Sequence, residues 1–101
     1  MITVTEKAKD KMKYILDSTV NNPLIGLRLG INDSDEYVLD TDIEQPGDEI
    51  VKHDGSKILF IGKDKAGNFD GYTIDFENKK KFVISRGPLT GFHTNTVKLN
   101  V

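Results

Sequence analysis

The 101 residues contain no cysteine. That excludes disulfides, zinc or iron–sulfur sites held by thiolates, and a cysteine nucleophile. Long apolar runs are absent too, since none approaches the ~20 residues needed to cross a bilayer. The opening Met1-Ile2-Thr3-Val4 passes straight into a charged stretch. It lacks the basic segment, apolar stretch and small-residue cleavage site of a secretory signal. The expectation is a cytoplasmic protein with no membrane partner. Charge is nearly balanced, with a formal net of −2 and a pI near 5.6, so nothing draws the whole chain to nucleic acid. There is no internal repeat, low-complexity segment or linker. Hydrophobic residues at 37% and charged residues at 30% are the balance of a globular chain. The length fits one domain, residues 1–101, with one modest core.

Thr5 is placed to cap a helix beginning at Glu6. Ala8, Met12, Ile15 and Leu16 recur at helical spacing and form one apolar stripe. Lys7, Lys9, Lys11 and Lys13 cover the rest of the cylinder, interrupted by Glu6, Asp10 and Asp17, so this reads as a solvated face. Asn21-Asn22-Pro23 ends the helix. Residues 24–31 alternate, with Ile25, Leu27, Leu29 and Ile31 on one face and Gly26, Arg28 and Gly30 on a thinly covered other face. Glycine there permits close approach of another backbone.

Asn32-Asp33-Ser34-Asp35-Glu36 is a turn by composition, and residues 37–41 return as its partner strand. Gln45-Pro46-Gly47-Asp48 is a second turn. Asp54-Gly55 joins strands over 50–53 and 57–61 as a two-residue hairpin. Residues 62–71 read as a loop. Residues 72–77 and 82–85 form strands around a charged turn, and Val97, Leu99 and Val101 alternate in a C-terminal strand. The sum is α+β: an N-terminal helix packed on a mostly antiparallel sheet of six or seven short strands.

The strand Gly26-Leu27-Arg28-Leu29-Gly30-Ile31 leads into Tyr37-Val38-Leu39. Asp54-Gly55, Ile58-Leu59-Phe60-Ile61, and Asp70-Gly71 before Thr73-Ile74-Asp75-Phe76 follow in order. This ladder resembles the A-type iron–sulfur carrier (HesB/IscA-like) domain over about residues 2–76. The resemblance implies the HesB-like fold and a family that holds iron or a cluster with three cysteines. One of those cysteines belongs in the loop after the first strand of the ladder, and the other two form a pair near the C-terminus. Here that loop is the shorter run 32–36. The C-terminal region carries Gly87, Pro88, Gly91 and His93 but no thiol. The family's fold is implied and its ligand chemistry is not.

Asp33, Asp35 and Glu36 put three carboxylates in the turn that is half of the cofactor site in the resembled fold. Hard cations accept such oxygen ligands. His93, in the other half, adds an imidazole suited to iron or zinc. Metal ligation by Asp33, Asp35, Glu36 and His93 therefore stands against a plain reading: a solvated hairpin turn and an exposed histidine. His53, beside Asp54-Gly55, reads as a strand end. Residues 64–70 lack the alternating carboxylates of a calcium loop. Gly62-Lys63 lacks phosphate-loop spacing, and no nucleophile constellation is present. Lys79-Lys80-Lys81 reads as a charged turn guarding a sheet edge. Two functions follow. The first is a non-enzymatic binding or interaction module related to iron–sulfur cluster assembly, holding no cofactor. It would contact a protein partner or a second copy through a sheet edge. The alternative is a protein binding iron through carboxylate and histidine ligands.

Overall fold

The computed structural model describes residues 1–86 and 94–101. They form β1 (Thr3–Val4), α1 (Glu6–Thr19), β2 (Ile25–Ile31), β3 (Tyr37–Ile43), β4 (Glu49–His53), β5 (Ser56–Ile61), a 3₁₀ turn (Ala66–Phe69), β6 (Tyr72–Glu77), β7 (Lys81–Arg86) and β8 (Asn95–Asn100). All eight strands join one sheet in the order β1-β6-β7-β8-β3-β2-β5-β4. The hairpins β2–β3, β4–β5 and β6–β7 and the pair β7–β8 are antiparallel; β1–β6, β2–β5 and β3–β8 are parallel. The sheet is therefore mixed. Its hairpins follow the turn signals, and its parallel ladders come from contacts between distant segments. No helix among the described residues is long and apolar enough to cross a membrane.

The helix forms where its cap and stripe require. Thr5 Oγ1 accepts from the Ala8 amide at 3.2 Å, satisfying one of the open donors of the first turn. Ala8, Met12, Ile15 and Leu16 are all buried. They pack with Leu27, Leu29, Ile58, Leu59, Ile74 and Ile84 of the sheet. The helix touches β6 near one end of the strand order and β5 and β4 at the other, so the sheet curls round it. Two bonds fix its start: Thr5 N–H donates to Ile74 O at 3.0 Å, and Thr5 Oγ1 donates to Asp75 Oδ1 at 2.6 Å.

Asp54 and Gly55 both have positive φ, at 51° and 79°, as a tight I′-type hairpin needs. Gly26 meets its close neighbour in the Phe60 ring, where a Cβ would lie 2.8 Å from Cε2, and in the Lys57 carbonyl at 3.2 Å. The stretch 62–71 is more than a loop. Phe69 at the end of the 3₁₀ turn is 2% exposed and packs against Tyr37 and Tyr72. Burying a whole aromatic ring outweighs the polar composition of its neighbours. β8 lies between β7 and β3, so the strand edges are β1 and β4. β4 carries an irregularity at Val51/Lys52, which disfavours pairing with another chain.

Candidate functional site

The turn holding Asp33, Asp35 and Glu36 is built by its own first residue. Asn32 Oδ1 accepts from the amides of Ser34 at 2.9 Å and Glu36 at 3.0 Å, while Asn32 Nδ2 donates to Glu36 Oε1 at 3.0 Å. Asp35 takes φ 60°, a left-handed conformation that Asp tolerates better than most residues. The three acidic side chains are exposed. Tyr37 pairs with Val97, so this turn sits at the sheet end where β8 begins. His93, the fourth residue expected there, lies outside the described residues.

Behind the same hairpin, Arg28 fills the face of β2 that its glycine neighbours leave open. Nη1 and Nη2 donate to Asp48 Oδ1 and Oδ2 at 3.0 and 2.7 Å, Nε donates to Asp42 Oδ2 at 2.5 Å, and Nη2 also reaches Ile43 O at 3.0 Å. The guanidinium centre lies 5.8 Å from the Phe60 ring centroid. Asp48, with a side chain only 1% exposed, is held below the usual carboxylate range by this fork and by the Gln45 amide. The fork in turn raises the guanidinium pKa still further. Every charged atom here has a partner, so this is a clamp tying β2 to β3 and to the turn before β4.

A third cluster joins segments far apart in the chain. Glu6 and Asp10 stand one helical turn apart on α1, and His53 closes β4 opposite Ser56. His53 Nε2 lies 2.6 Å from Asp10 Oδ1 and 3.6 Å from Asp54 Oδ2, and Nδ1 lies 3.8 Å from Glu6 Oε2. The imidazole is 12% exposed, while the carboxylates open to solvent. One donor atom from each of Glu6, Asp10 and His53 falls within 4.8 Å of the others. Sequence reasoning passed over this set. The only local signal was an acidic pair at i, i+4 beside the apolar stripe; the histidine comes 43 residues later.

Beside this cluster, and sharing Asp10 with it, opens a groove of about 730 Å³ lined also by Lys7, Lys11 and Lys79 with Tyr14 and Phe76. Lys11 Nζ stands 4.9 Å from the Tyr14 ring centroid and 5.4 Å from that of Phe76. Tyr14 is 64% exposed. A neighbouring hollow adds Lys80, Lys81 and Phe82. Two basic stretches that look like separate solvated surfaces in the sequence thus meet around aromatic rings. Asn78 and Lys79, at φ 54° and 57°, form the turn that carries the second stretch to the helix.

No protein-family model matches the chain. The HesB protein of Leptolyngbya boryana is 28% identical over 80 residues, which cover 74% of this chain and 66% of that protein. The heterocyst HesB protein of Trichormus variabilis is 27% identical over 82 residues, covering 74% and 67%. The chain thus spans about two thirds of the length of the curated relatives it matches. Escherichia coli SufA, involved in biosynthesis of iron–sulfur clusters, superposes with a TM-score of 0.64 at 26% identity over 84% of this chain and 79% of SufA. IscA with a [2Fe–2S] cluster superposes with a TM-score of 0.59 over 85% of each chain, at 14% identity, a likeness of fold. Thiolates are the usual ligands of such clusters, and this chain supplies none, so its donor set does not fit one held that way.

Proposed function

From the premise that this chain is a cysteine-less, divergent relative of the HesB/IscA-like A-type carriers, we propose that it is a non-enzymatic interaction module related to iron–sulfur cluster assembly. The observation that carries this reading is the groove between α1 and the β6–β7 turn. Its three lysines and two aromatic rings suit an acidic protein segment with an apolar anchor. The rings supply desolvated contact area, and the lysines supply steering and register. The site needs no thiol, so it survives the loss of the family's ligands.

Three measurements test this. Anaerobic reconstitution with iron and sulfide leaves the protein without a stable visible chromophore; a stable cluster spectrum would overturn the reading. Titration against purified cluster-assembly proteins detects a partner that the doubly substituted Lys11→Glu/Lys79→Glu chain loses while Lys63→Glu keeps it. Equal binding by all three would move the interface away from the groove. Sedimentation in the same buffers reports whether the bound partner is instead a second copy of the chain.

A further inference from the structure

We propose that Glu6, Asp10 and His53 form a divalent-cation site of the borderline class that accepts both imidazole and carboxylate ligands, such as Zn²⁺ or Mn²⁺. It is separate from the acidic turn and adjoins the lysine groove, whose wall includes Asp10, but it does not depend on the docking reading. Three features of the cluster argue for it.

The first is its donor set. One imidazole and two carboxylates, all within 4.8 Å of one another, match the nitrogen and oxygen ligands such ions take, and they leave coordination positions open to water. The second is the charge balance. Asp54 brings a third carboxylate to the same ring, at 3.6 Å. Even a protonated imidazole leaves this group short of positive charge. Lys9 offsets part of this, its Nζ standing 3.7 Å from Glu6, and Asp10 also borders the lysine-lined groove. Glu6 and Asp10 also repel each other as like charges at i, i+4. A divalent ion answers both deficits.

The third feature is preorganisation. The imidazole is largely buried at the end of a strand and tied by the Asp54-Gly55 hairpin. The helix start is pinned to β6 by Thr5. Only the two carboxylate side chains have to adjust, because the 2.6 Å between His53 Nε2 and Asp10 Oδ1 is a hydrogen-bond distance that a metal ion would widen. Ligands carried on rigid elements lose less freedom on binding than ligands on a loop.

The test is titration of the tag-free chain with Zn²⁺, followed by calorimetry and by histidine-ring and amide NMR shifts, with Mn²⁺ as a paramagnetic probe of position. The expected result is saturable binding of one ion, with shifts at His53 and at Glu6 and Asp10. His53→Ala and Asp10→Asn should each weaken Zn²⁺ binding by about tenfold or more, since each lost ligand removes at least ~1.4 kcal/mol. Asp10→Asn keeps the side chain's shape, and its amide spectrum shows whether the fold is intact. Binding that both variants retain, shifts at residues 33–36 or at His93 instead, or no saturable binding would each overturn the proposal.

Discussion

Among the described residues, Arg28 and His53 each gather more than one carboxylate, and the two clusters are built to opposite ends. At Arg28 the cation is permanent, the fork is bidentate, and Asp48 is almost wholly buried. At His53 the base is an imidazole, its carboxylate partners are more than two-thirds exposed, and three of them face one ring. The first cluster is closed: one guanidinium is held by both carboxylates, and their oxygens are taken up by it and by backbone amides. The second is in excess of acid and open to water. The same residue types thus give a structural clamp where geometry and burial complete them, and a candidate binding site where they do not.

The largest expected effect breaks the clamp. Asp48→Asn keeps the side-chain shape but removes the charge, and it should destabilise the fold by about 2 kcal/mol, the scale of buried hydrogen bonds to a charged group. Asp42 remains to hold part of the guanidinium, which keeps the cost below the loss of a fully buried pair. Asp10→Asn, in the exposed cluster, should cost less than about 1 kcal/mol. Urea denaturation of both variants at neutral pH measures the difference. Equal costs would mean that the two clusters do not differ in the way the burial implies.

A smaller effect comes from pH acting on the same clamp. The Asp48 carboxyl is held below its ordinary value in the folded chain. Its contribution is therefore complete above the unfolded pKa of about 3.9 and is lost as pH falls toward and through the lowered folded value. The wild-type chain should lose stability steeply below about pH 4. Asp48→Asn should lose less over that window, so the two stability curves converge as acid is added. Parallel curves would show that this carboxyl does not carry the acid limb.

The clamp and the histidine cluster also show how far the sequence could be read. The helix was legible to the residue in its cap and stripe, because Thr5, Ala8, Met12, Ile15 and Leu16 act through neighbours no more than a turn away. The Asp54-Gly55 and Gln45-Pro46-Gly47-Asp48 turns were legible for the same reason. What escaped notice depends on pairings across the chain. Phe69 finds its place only when Tyr37 and Tyr72 are brought together. The parallel ladder of β3 with β8 joins segments some sixty residues apart and has no local signature. Arg28 was visible as the odd residue between two glycines, yet its partners Asp42 and Asp48 could not be chosen from a chain rich in acids. The candidate site is the least legible part: His53 meets the helix only after β4 and α1 have packed.

The smallest expected effect sharpens the comparison by adding the acidic turn to it. Residues 33–36 carry as many carboxylates as the histidine cluster, but Asn32 shapes this turn by bonding its backbone and the Glu36 side chain. No imidazole among the described residues joins them. Asp35→Asn should therefore change Zn²⁺ affinity by less than about twofold, far short of the loss on removing a ligand. The check is the same calorimetric titration used for His53→Ala. A loss of tenfold or more would reverse the assignment. The metal would then belong to Asp33, Asp35 and Glu36 with His93, and the contacts of His53 with α1 would be surface ion pairs that join a strand end to a helix.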